Sequence, residues 1–172
     1  MELVEVEAGR HNWGALRCGC LSTAEHLGLM LVELARAQSA AEASQYHVVD
    51  HILRAVYLSA PSVPTASVAL AALAGGDLSD AARHAFFELL LNLAAGEGNA
   101  LDPALEGRDL VEECRAAIRN GLWILYAEVM HPTSVDTASI AFETLSLVEK
   151  DQDRLDRVRE VAADNLRWDL RK

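Results

Sequence analysis

Apolar residues recur at three- and four-residue spacing along almost the whole chain, which is the period of an amphipathic helix. Ser22-Thr23-Ala24-Glu25 has the form of a capping box, and Leu27, Met30, Leu31 and Leu34 follow on one face. A helix is therefore predicted from 22 to about 38. Ser39-Ala40-Ala41-Glu42 repeats the start signal and predicts a second helix to about Leu53, with Tyr46, Val49, Ile52 and Leu53 inward. The connection is short, so these two helices should form an antiparallel hairpin. Pro61 and Pro64 suit a first helical turn and place a third helix from about Val63, through Val68, Leu70 and Leu73, to a stop at Gly75-Gly76. Ser79 or Asp80 caps a fourth, which carries Phe86, Phe87, Leu90, Leu91 and Leu93 and ends at Gly96 and Gly98. Residues 97–106 read as a loop with one short turn after Pro103. A fifth helix is predicted from about Arg108 to Met130, apolar nearly all round from Leu122 onward and so expected between neighbours. Thr133 or Ser134 opens a sixth helix with Ile140, Phe142, Leu145 and Val148. Asp151 opens a seventh towards Leu170, with Leu155, Val158, Ala162 and Leu166 inward and Asp153 and Arg157 paired outside.

Ahead of these, Gly9, Asn12, Gly14 and Gly19 interrupt any regular pattern, so residues 1–21 read as an irregular lead-in with Trp13 and Leu16 docked on the body. Residues 22–172 then form a single helical repeat domain. No segment alternates with period two, and no strand is predicted. The fold class is all-α, with about seven helices as stacked antiparallel hairpins in an α-solenoid; a compact helical bundle is the alternative. The pairs 22–58 and 62–98 each span roughly 40 residues, within the range of two-helix repeats.

At 172 residues the chain has room for one domain with a substantial core. Its 26 acidic residues outnumber 15 basic ones, for a net charge of −11, and lysine occurs only at Lys150 and Lys172. A nucleic-acid binder needs a basic stripe to neutralise phosphates, and this chain has none. An acidic surface suits a basic protein partner instead. The three cysteines, Cys18, Cys20 and Cys114, are an odd number and suggest a reducing compartment. The first residues lack a signal-peptide pattern, and no apolar run is long enough for a membrane helix, so a cytoplasmic location is expected.

Several stretches resemble a divergent HEAT-like repeat family of bacterial, especially actinobacterial, helical proteins. They are Leu27-Gly28-Leu29-Met30-Leu31-Val32-Glu33-Leu34-Ala35, Val56-Tyr57-Leu58-Ser59-Ala60-Pro61-Ser62-Val63-Pro64, and Glu88-Leu89-Leu90-Leu91-Asn92-Leu93-Ala94-Ala95-Gly96. The segment from Leu110 to Tyr126 fits loosely. Family members often carry His-Gln-Gly before the Val-Tyr pair, where this chain has Leu53-Arg54-Ala55, with His51 out of register. The resemblance implies an α-solenoid and a protein-binding surface, and no catalytic residues.

Few residues carry candidate chemistry. His47 and His51 are four apart, so on one helix they would share a face and could hold one Zn²⁺, given a third ligand. Cys18-Gly19-Cys20 could ligate a metal with His11 or His26, or stand as two plain thiols ahead of a helix. Glu88, Glu112, Glu113 and Glu128 lack the Glu-x-x-His motifs of a di-metal bundle. Cys114 and the aromatic set Trp123, Tyr126 and Phe142 read as core. No phosphate loop or nucleophile motif occurs, so no catalytic residue or cofactor is assigned.

The sequence thus points to a non-enzymatic interaction module binding a basic protein through Glu112, Asp136, Glu143 and Glu160. An immunity-like protein covering a cationic toxin is one concrete version. The rival is a small helical enzyme or a ligand- or metal-binding bundle, with His47 and His51 as metal ligands. A homodimer packed through the seventh helix is a further possibility.

Overall fold

The computed structural model describes residues 2–98, 105 and 107–171, and helix dominates from its first turn. Helix α1 (Leu3–Gly9) occupies the segment expected to be irregular. Its first turn is closed by the Glu2 N–H donating to the Glu5 carboxylate at 2.9 Å. Val4 and Ala8, one turn apart, are buried on the side facing α5 (Ser62–Gly75). Trp13 lies beneath the helix end, and its indole N–H donates to Ala8 O at 2.8 Å. The indole also lies against Gly28, where a Cβ would stand 2.8 Å from Nε1. The glycines of this stretch thus punctuate a packed segment, because Trp13 supplies enough burial to order it.

Helix α2 (Glu25–Arg36) buries Leu27, Leu31, Leu34 and Ala35, as its period predicts. It starts three residues later than the Ser22 signal because residues 18–24 are used in a turn described below. The single helix predicted over 39–53 is two short ones, α3 (Ala40–Ala43) and α4 (Val48–Ile52), separated by a turn ending at His47 with φ of 45°. Ser39 does cap α3, accepting from Glu42 N–H. Ser44, Gln45 and His47 stay exposed, so no burial offsets the cost of continuing the helix. Strands β1 (Leu53–Arg54) and β2 (Tyr57–Leu58) then form a small antiparallel hairpin with Leu53 opposite Leu58.

The core centres on α5 and α6 (Asp80–Ala95), where Phe86, Phe87, Leu90 and Leu93 are fully buried. The fifth predicted helix is also divided, into α7 (Leu110–Arg119) and α8 (Leu122–Met130). Gly121 sits at the break, pressed against α5: a Cβ there would fall 2.3 Å from Leu70 Cδ2. Helix α9 (Val135–Val148) packs on both α6 and α8, and α10 (Gln152–Val161) ends nine residues short of Leu170 in two 3₁₀ turns. Asp109, Ser134 and Asp151 cap α7, α9 and α10 through their side chains. The loop expected over 97–106 falls mostly outside the described residues.

Two buried carboxylates bind these helices together. Glu128 of α8 accepts from Arg83 Nε of α6 and from Thr133 N–H, each at 2.7 Å. Glu149 accepts from the Tyr126 hydroxyl at 2.5 Å and from the N–H groups of Lys150 and Asp151. Tyr126 and Phe142 are core residues as expected. Trp123 is not: it is 72% exposed, with the Arg154 guanidinium 5.6 Å from its ring. An all-apolar stretch of α8 therefore has a wet side, because α9 covers the opposite one. Among the described residues, no helix is long and apolar enough to cross a membrane.

Candidate metal centre

The residues between α1 and α2 fold into a tight knuckle. Cys18 N–H donates to Ser22 O and Leu21 N–H to Cys18 O, each at 2.9 Å, and Arg17 bridges Thr23. The turn forces Leu21 to a φ of 72°, a conformation that branched side chains rarely adopt. Gly19 lies between the two cysteines against the end of α4. Its N–H donates to His51 O at 2.8 Å. A Cβ on it would meet the carbonyl oxygens of His51, Leu53 and Asp50 at 2.9–3.2 Å. Glycine is thus what lets the knuckle dock on α4.

This docking brings Cys18, Cys20, His26 and His51 together, with one potential ligand atom from each lying within 4.8 Å of all the others. Cys18 and Cys20 come from the knuckle, His26 from the first turn of α2, and His51 from the last turn of α4. Cys18 Sγ lies 3.7 Å from His26 Nε2 and 3.3 Å from His51 Nδ1, and the two ring nitrogens are 2.9 Å apart. Bond lengths of about 2.3 Å to sulfur and about 2.05 Å to nitrogen, set tetrahedrally, place S and N about 3.5 Å apart and two N atoms about 3.3 Å apart. The three observed separations differ from these by a few tenths of an ångström. Cys20 lies on the solvent side of the group, with its sulfur within 4.8 Å of the other three ligand atoms.

The two thiols are electrostatically unlike. Burial, followed by the hydrogen bond with Cys20, pushes the Cys18 thiol up to about 11. Cys20 is drawn down to about 6, first by its hydrogen bond with the Ser22 hydroxyl 3.0 Å away and then by that with Cys18. Both thiols must lose their protons to hold a cation, so metal uptake depends on pH. A set of two thiolates and two imidazoles is the donor chemistry of a closed zinc site, with no position left for substrate.

The structure divides the sequence candidates. His51 and His26 belong to this group. His47 does not: its left-handed backbone precedes α4, so it shares no helical face with His51, and it stands exposed 4.0 Å from Asp50. His11 pairs with Glu7 at 3.3 Å and sits edge-on to Trp13. Cys114 is fully buried on α7. Of the acidic residues assigned to a partner, Glu112 is paired with Arg119 and lies 3.8 Å from Lys150, and Glu143 is paired with Arg167. Asp136 and Glu160 are exposed and make no ion pair among the described residues. What the sequence reading lacked was the pairing of the cysteines and His26 with His51, since 24 intervening residues must fold back before the set exists. The spacing Cys-x-Cys-x₅-His was the available signal.

Comparison with known proteins finds no family model, no curated protein and no solved structure that matches this chain.

Proposed function

We propose that this chain is a metal-binding helical protein that holds one Zn²⁺ through Cys18, Cys20, His26 and His51. The observation that carries the reading is the convergence of these four side chains from three separate elements, with Cys18, His26 and His51 at separations close to those of tetrahedral ligands. The metal's role is structural. It fastens the N-terminal knuckle to α4, where Gly19 N–H also donates to His51 O. The test is elemental analysis of untagged protein purified in reducing buffer, followed by Co²⁺ substitution. One metal per chain, with the visible absorption of tetrahedral Co²⁺ and sulfur-to-metal charge transfer, is expected. Protein that takes up neither ion refutes the reading.

A second reading is the acidic interaction module, of HEAT-like architecture, that binds a basic protein. Trp123 and Trp168 favour it: both are more than 70% exposed, and exposed tryptophan is enriched at binding surfaces. The ion pairs already made by Glu112 and Glu143 shift the electrostatic burden to Asp136 and Glu160. A basic protein co-purifying at low salt, and lost when Asp136 and Glu160 are changed to Lys, is the expected result. Capture unchanged by those substitutions refutes it.

A further inference from the structure

We propose that the Cys18–Cys20 pair is an oxidant-triggered release for the metal, so that peroxide converts the centre to a disulfide and unfastens α4 and the start of the β hairpin from the knuckle. The inference rests on the Zn²⁺ reading above and adds its regulation.

Three observations carry it. The first is asymmetric access. Cys20 is exposed, whereas Cys18 is 2% exposed and enclosed by His26 and His51. A closed structural centre usually shields all its sulfurs, and this one presents a single sulfur to solvent. The second is a resolving partner in place. The two sulfurs lie within 4.8 Å of each other with only Gly19 between them. The third thiol, Cys114, is buried on α7 and takes no part.

The third observation concerns what the metal holds. From Gln38 to Leu58 only Val48, Ile52 and Leu58 are buried. His51 is the side chain of this segment that reaches the centre. Without the metal, the segment keeps those three anchors, the half-buried Ala43, Tyr46, Val49 and Leu53, the hydrogen bonds of Gly19 and Ser59 to His51 O and of Ser59 and Ser62 to Ile52 O, and the backbone pairing of Val56 and Leu58 with Glu97. The same segment forms one wall of a cavity of about 460 Å³, where Ala40, Ala43, Val48 and Val49 face Ala85 and Leu89 of α6. Release of the metal therefore loosens that wall.

The chemistry balances with hydrogen peroxide as the oxidant. The Cys20 thiolate attacks one peroxide oxygen, the O–O bond breaks and hydroxide leaves, giving a sulfenic acid. The Cys18 thiolate then attacks Cys20 Sγ, the S–O bond breaks, and a second hydroxide leaves. Two electrons pass from the sulfurs to peroxide, and solvent protonates both hydroxides. Neither disulfide sulfur keeps the negative charge that held the cation, so two imidazoles remain and Zn²⁺ departs to water.

Zinc-loaded full-length protein is titrated with hydrogen peroxide while a colorimetric chelator reads free Zn²⁺. In parallel, the tryptic peptide spanning residues 18–36, which carries both cysteines but not Cys114, is weighed without reduction. One Zn²⁺ released per chain, a mass loss of about 2 Da in that peptide, and recovery on adding thiol and Zn²⁺ are expected. Amide exchange should accelerate several-fold across α4 and β1 and stay unchanged across α6. Zinc retained in excess peroxide overturns the switch while leaving the metal site intact. Zinc lost with a mass gain of about 32 or 48 Da that thiol does not reverse also overturns it, because the sulfurs are then over-oxidised. Unchanged exchange across α4 and β1 overturns the unfastening. Reduced protein that never takes up Zn²⁺ overturns this inference and the metal reading together.

Discussion

Glu128 offers the sharpest test of how the helices are held together. It lies on α8, and its carboxylate is fully buried, accepting from Arg83 Nε and Thr133 N–H at 2.7 Å each. Glu128→Gln keeps an acceptor for Thr133 N–H and nearly the same volume, but leaves the Arg83 guanidinium facing a neutral amide. Breaking a fully buried ion pair costs about 3–5 kcal/mol, because one charge is left uncompensated. Arg83 retains 23% side-chain exposure and lies against the Phe87 ring, so it can turn partly to water. The expected loss is therefore about 2 kcal/mol, read as a fall in melting temperature of about 4–8 °C for a chain of this size. Arg83→Met should cost more, about 3–4 kcal/mol, since it strands the deeper carboxylate. The double variant should recover about 2 kcal/mol relative to the sum of the singles in urea unfolding. A Glu128→Gln variant within about 0.5 kcal/mol of wild type, or an additive cycle, would refute this account.

Three further outcomes are expected. His51→Ala should abolish stoichiometric Zn²⁺ or Co²⁺ uptake while His47→Ala leaves it unchanged, with the cobalt absorption spectrum as the readout; equal losses would restore the 47/51 pair. Glu149 is pushed up by burial, but the hydrogen bonds from Tyr126, Asp151 and Lys150 and the Arg154 charge outweigh this and hold it below its ordinary 4.5. Its folded value is the lower one, so its stabilising contribution is present above pH 4.5 and lost as pH falls through the folded value. Glu149→Gln should flatten the acid limb of stability against pH, and an unchanged limb would exclude Glu149 as its source. Gly121→Ala drives a methyl into Leu70 and should cost about 1–3 kcal/mol in chemical denaturation; a neutral result would mean that α5 and α8 can separate freely.

Local signals and tertiary contacts divided the structure between them in a physically sensible way. Helices α5, α6 and α9 begin near their expected places because prolines and serine caps act on adjacent residues, whereas Ser22 caps nothing and α2 starts at Glu25. The helix expected over 39–53 divides because Ser39 caps α3 but the middle of the stretch has no buried face. The helix expected over 108–130 divides where Gly121 meets Leu70, some fifty positions earlier in the chain. Trp123 was assigned to the core on apolarity alone, yet exposure depends on which side α9 covers. At the candidate centre, the cysteine pair and His26 were visible as neighbours in sequence. His51 was visible too, but assigned to His47 by spacing, and the left-handed turn at residue 47 removed that pairing.

The all-helical class, the caps Ser39, Ser79, Ser134 and Asp151, most of the buried positions and a set of metal-capable side chains are legible in the chain alone. These follow from periodicity and from chemistry carried by single residues. Tertiary structure alone decided which of those side chains meet, which acidic residues are already paired, and where the long helices break. Each of these depends on groups tens of residues apart being brought within a few ångströms, and no local pattern encodes such a distance.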